Sequence, residues 1–133
     1  MSERIQRVWM IDDNSIDMYL QEELMRRKNI GTSFSHFTSA EKVIELMNAL
    51  AKQEEHELPD LILLDIHMPK LDGFGFLEAY SKTVDSFSKH PVLMVISSTI
   101  MNADIQKMQG HPLVSGVLKK PLEVDQLRAI LEA

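Results

Sequence analysis

No cysteine occurs among the 133 residues. Disulfide frameworks and thiolate metal sites are therefore excluded, and the composition suits a reducing compartment. No apolar run approaches the roughly 20 residues that a membrane helix requires. The start, Met1-Ser2-Glu3-Arg4-Ile5, lacks the apolar segment of a secretory signal. Basic residues are the minority: Lys+Arg number 14 against 20 Asp+Glu, a formal net charge of -6. That balance offers no footprint for nucleic acid or for an anionic membrane surface. Low-complexity segments and internal repeats are missing as well. The expectation is one cytoplasmic domain over residues 1–133, large enough to bury about two-thirds of its unfolded surface.

What is present is a regular alternation. Val8-Trp9-Met10-Ile11 is an apolar run ending in Asp12-Asp13. Asn14-Ser15 suits a helix cap, and the helix after it carries Ile16, Tyr19, Leu20, Leu24 and Arg27 along one side, read as its packing face. Asn29-Ile30-Gly31 ends it, with Gly31 a good C-terminal signal. Thr32 to Phe37 alternates like a strand. Thr38-Ser39-Ala40-Glu41 reads as a capping box, followed by Val43, Ile44, Met47 and Leu50 at helical spacing. Leu61-Ile62-Leu63-Leu64 is a strand buried on both faces that runs into Asp65. Pro69 and Asp72-Gly73 then turn the chain. Phe76, Leu77 and Tyr80 mark a third helix. Pro91 to Ile96 is a fourth strand, with Ser97-Ser98-Thr99 at its end. A short helix near 103–109, a fifth strand over Val114–Leu118 and a last helix through Val124, Leu127, Ile130 and Leu131 complete the chain. The nine methionines fall mostly on strands and helix faces, where they fill the core.

Strand and helix alternate five times. Such a pattern implies an α/β fold with a parallel sheet covered by helices on both faces. Five strands fit a flavodoxin-like three-layer sandwich of order 2-1-3-4-5. All strands of a parallel sheet end on one side, and ligands bind there. Four of these ends carry polar groups: Asp12-Asp13, Asp65, Ser97-Ser98 and Lys119-Lys120. Alone, Asp65 is compatible with a cap of the following segment. Together with Asp12 and Asp13 it forms a carboxylate cluster that requires a cation. An all-oxygen acidic site suits Mg²⁺. Carboxylates, Mg²⁺, a lysine and a hydroxyl together describe phosphoryl transfer to an aspartate.

On these pieces the chain resembles the receiver domains of bacterial two-component response regulators. The matching residues are Ile11-Asp12-Asp13-Asn14, Leu64-Asp65-Ile66-His67-Met68-Pro69 with Asp72-Gly73, Ser97, and Lys120-Pro121. The resemblance implies that Asp65 accepts the phosphoryl group and that Asp13 and Asp12 bind Mg²⁺ beside it. It implies a further metal ligand from the backbone carbonyl of His67. Ser97, preferred over Ser98 because it directly follows the strand, would bond a phosphoryl oxygen. Lys120, preferred over Lys119 because it precedes Pro121, would pair with the phosphate across a cis peptide.

It also implies a stand-alone regulator without an output domain, not a turnover enzyme. Its donor would be a sensor histidine kinase or a histidine phosphotransfer protein. Its downstream partner is an unnamed protein, met on the fourth helix, fifth strand and fifth helix. Phosphorylation-dependent dimerisation stays open. Val117 stands where many receivers carry an aromatic switch residue, so signal passage to the last strand differs from theirs. Competing classes fit less well. A haloacid-dehalogenase-type hydrolase needs an aspartate where His67 stands, no P-loop motif occurs, and Asp12-Asp13-Asn14 replaces the hydroxyl-rich loop of an FMN binder.

Overall fold

The computed structural model describes residues 5–53, 58–66, 73–85, 87, 89–97 and 102–132. The strands are β1 (Arg7–Ile11), β2 (Ser33–Phe37), β3 (Leu61–Asp65), β4 (Val92–Ser97) and β5 (Gly116–Lys119). The helices are α1 (Ser15–Arg27), α2 (Ala40–Leu50), α3 (Gly73–Val84), α4 (Asn102–Gln109) and α5 (Val124–Leu131). All pairings are parallel and the sheet order is β2-β1-β3-β4-β5, as the alternation required. No described helix is long and apolar enough to cross a membrane.

Successive strand residues point to opposite faces, and each face feeds its own core. Trp9, Ile11, Ile62, Leu64, Leu93 and Val95 pack with Val43, Met47, Phe76 and Tyr80 under α2 and α3. Val8, Met10, Leu61, Leu63, Met94, Ile96 and Leu118 pack with Met18, Met25, Val124 and Leu127 under α1 and α5. The central strand β3 is buried at all five positions. This parity decides the site. Asp12, Asp65 and Lys120 continue the rows of Met10, Leu63 and Leu118, so the strand period aims all three at the α1 side.

Helix α1 departs from its expected orientation. Ile16, Tyr19, Leu20 and Leu24 are 70%, 67%, 59% and 39% exposed. Arg27 is exposed with them. The packing face is Met18, Gln21 and Met25, on the opposite side of the helix. Two stripes compete on this helix, and the two methionines seat in the sheet while the bulkier apolar stripe is left outside.

The helix ends also differ in detail. At its start, Asn14 Oδ1 accepts from the Asp17 amide at 3.1 Å, as a cap should. At its end, within the expected Asn29-Ile30-Gly31 stretch, the left-handed cap residue is Asn29, with φ 60°. Ile30 N donates to Met25 O at 2.9 Å and Asn29 N to Arg26 O at 3.1 Å, the paired bonds of a Schellman motif. Gly31 serves a close approach instead. A Cβ there would lie 2.7 Å from Phe34 Cζ and 2.9 Å from Val8 Cγ2, at a φ of 84°. For α2 the cap is Ser39, whose Oγ accepts from Lys42 N at 3.4 Å, so Thr38 and Glu41 form no capping pair at the helix start. The fifth strand begins at Gly116, two residues later than its apolar pattern suggests.

Candidate functional site

Local hydrogen bonds fix the strand ends around the site. Asp12 N donates to Phe37 O at 3.0 Å, beyond β1. Ile66 N donates to Ile96 O at 3.2 Å, and Lys120 N donates to Ser97 O at 2.9 Å. These bonds extend the ladder by one residue past each strand and hold the next side chains in register. Gly73 N reaches back to Ile66 O at 2.7 Å, and a Cβ on Gly73 would meet Ile66 Cα at 2.9 Å. Helix α3 can thus start against the end of β3 only because residue 73 is glycine.

Asp12, Asp13 and Asp65 each offer a carboxylate oxygen, and these oxygens all lie within 4.8 Å of one another. Asp12 and Asp65 are buried, whereas Asp13 is exposed at the mouth. Three carboxylates this close repel unless a cation joins them, and hard oxygen donors with an open side suit an ion that keeps its waters. The donor set therefore fits Mg²⁺. Of the expected metal ligands, His67 lies outside the described residues. Ser98, the alternative to Ser97, lies outside them as well.

Lys120 enters from the far side. Its Nζ lies 2.7 Å from Asp12 Oδ2, 3.3 Å from Asp17 Oδ2 and 3.8 Å from Asp65 Oδ2. Burial alone would lower the pKa of this ammonium. The hydrogen bond and charge of Asp12, the charge of Asp65 and the bond to Asp17 outweigh that and raise it above the usual 10.5. Lys120 is therefore a permanent cation here. The Lys120-Pro121 peptide is cis, as expected. Lys119, one residue earlier, is exposed. Ser97 is 2% exposed at the end of β4, beside the β5 terminus.

Asp17 had no part in the sequence reading. Its signal was its place in the first turn of the helix that leaves the Asp12-Asp13 strand end, where a carboxylate overlooks the same crevice. Next to it runs an open groove of about 300 Å³, lined by Asp17, Leu20, Gln21, Leu24, Lys120, Pro121 and Leu122. The outward apolar stripe of α1 forms one wall of this groove.

The response regulator receiver domain model matches residues 8–132. The chain belongs to that family. A two-component response regulator of Oryza sativa is 31% identical over 124 residues, covering 93% of this chain and 16% of that protein. The chain spans only 16% to 24% of the length of the first curated relatives it matches. A response regulator receiver protein of Dyadobacter fermentans superposes with a TM-score of 0.81 at 32% identity, covering 96% of this chain and 95% of that one. The receiver domain of a sensor histidine kinase from Pseudomonas aeruginosa, solved with magnesium in its active-site cleft, gives a TM-score of 0.71 at 17% identity. It covers 96% of this receiver and 94% of its own chain.

Proposed function

We propose that this receiver accepts a phosphoryl group on Asp65 from a phosphohistidine and passes the signal on by protein contact. The observation that carries the reading is the convergence of Asp12, Asp13, Asp65 and Lys120 from three strand ends onto one crevice. Asp65 is assigned as the acceptor because it ends the central strand β3, within reach of both the Asp12-Asp13 carboxylates and Lys120. Asp12, Asp13 and Asp65 would hold Mg²⁺, as the Pseudomonas relative holds it in its own cleft. When bound, the ion supplies positive charge to oxygens that would otherwise repel.

In the transfer, a carboxylate oxygen of Asp65 forms a bond to phosphorus. The phosphorus–nitrogen bond of the donor breaks, and its electron pair stays on the leaving imidazole. The Lys120 ammonium faces the incoming phosphoryl oxygens and balances their charge. The Ser97 hydroxyl, fixed at the neighbouring strand end, donates to one of them. The domain drives its own modification and does not turn over a substrate.

A donor must place its histidine over this crevice. The exposed Ile16, Tyr19, Leu20 and Leu24 stripe, continuous with the Lys120 groove, is the apolar ground on which a sensor kinase or phosphotransfer protein would rest. The test is incubation with acetyl phosphate and Mg²⁺, followed by intact-mass measurement. The expected result is one added phosphoryl group that disappears when Mg²⁺ is chelated beforehand and in Asp65→Asn. Modification that persists in Asp65→Asn would overturn the assignment.

A further inference from the structure

We propose that Asp17 is a positioning residue that tethers Lys120 and so sets how readily the site takes up an anionic phosphoryl group. The inference rests on the phosphoryl-acceptor reading above and adds a residue to it.

The geometry is asymmetric. Lys120 Nζ sits within hydrogen-bond distance of Asp12 and Asp17, at 2.7 Å and 3.3 Å, and stands 3.8 Å from Asp65. Asp12 and Asp17 together occupy hydrogen bonds of the ammonium. A phosphoryl oxygen on Asp65 would compete with both for Lys120. Asp17 also adds a fourth negative charge beside the three carboxylates of the cluster. Both effects oppose an incoming anion. Both favour an incoming cation: Asp17 contributes attraction and draws part of the competing ammonium's bonding to itself.

The carboxylate is not needed to build the helix cap, which uses the Asp17 backbone amide and the Asn14 side chain. Its side chain is 37% exposed, so its charge can be removed without opening a core. Asp17→Asn is close to isosteric, and Asp17→Glu keeps the charge.

The role predicts opposite changes for two ligands, which a general loss of structure would not produce. Beryllofluoride affinity at saturating Mg²⁺, read from the bound signal in ¹⁹F NMR, should tighten about three- to tenfold in Asp17→Asn. Mg²⁺ affinity without the anion, read by calorimetry, should weaken by about two- to threefold in the same variant. Asp17→Glu should restore both values toward those of the unsubstituted chain. Unchanged or weaker beryllofluoride binding in Asp17→Asn, with normal binding in the unsubstituted chain, would overturn the tether while leaving the acceptor reading intact. Failure of the unsubstituted chain to bind beryllofluoride at all would overturn both.

Discussion

Lys120 Nζ bonds Asp12 Oδ2 at 2.7 Å and lies more than an ångström farther, 3.8 Å, from Asp65 Oδ2. One ammonium thus serves two carboxylates of the cluster, bonded to Asp12 and ion-paired at longer range to Asp65. Lysine and a divalent cation are alternatives for the same negative charge.

Replacing Lys120 separates these two roles. Lys120→Ala removes the competing cation, so Mg²⁺ affinity should rise several-fold by calorimetry. The rate of phosphorylation by acetyl phosphate should fall by at least about tenfold, because charge on the phosphoryl oxygens loses its partner. A loss of Mg²⁺ affinity in this variant would contradict the arrangement.

The inverted orientation of α1 makes a paired prediction. Leu20→Ala and Leu24→Ala should each change stability by less than about 1 kcal/mol, because the side chains are exposed. Met25→Ala, at 0% exposure, should cost about 2–5 kcal/mol by denaturant unfolding. Phosphotransfer from a protein donor should fall in the two leucine variants, while phosphorylation by acetyl phosphate should not. Equal stability losses at Leu20 and Met25 would restore the packing face read from the sequence.

Asp60 ties the opposite end of the sheet. Its Oδ2 accepts from Gln6 N at 2.9 Å and Arg7 N at 3.0 Å, and its Oδ1 lies 3.5 Å from Lys89 Nζ. Burial pushes its pKa up, but the two backbone bonds and Lys89 prevail and hold it below the usual 3.8. A depressed carboxylate stabilises the fold above its unfolded pKa, and that contribution is lost as pH falls through the folded value. Asp60→Asn should therefore be less stable by about 1–2 kcal/mol near neutrality. The difference should shrink below about pH 4. Stability curves of the two proteins that stay parallel down to pH 2 would contradict this.

The elements differ in how far they were legible. The sheet was readable because each strand is a short apolar run that stops at a polar residue. Leu61 to Asp65 shows this most plainly, since burial on both faces leaves no other reading. The site was readable for the same reason: strand ends have fixed positions in a parallel sheet, so Asp12, Asp65 and Lys120 had to converge. Helix α1 was not. Its Ile, Tyr and Leu stripe outweighs Met18 and Met25 in hydrophobicity, and periodicity alone does not say which stripe meets the sheet. The end of α1 was legible as Asn29-Ile30-Gly31, but glycine is the commoner left-handed stop, so the pattern does not reveal that Asn29 takes that place. Asp17 escaped because its importance lies in a contact with Lys120, 103 positions away in the chain.

The most direct test of the central claim is to locate the modified residue. After reaction with acetyl phosphate and Mg²⁺, the protein would be digested under acidic conditions that preserve the acyl phosphate, and the peptides would be sequenced by mass spectrometry. The phosphoryl group is expected on Asp65 alone, with Asp12 and Asp13 unmodified. Modification at Asp12 or Asp13 in place of Asp65, or a chain left unmodified throughout, would contradict it.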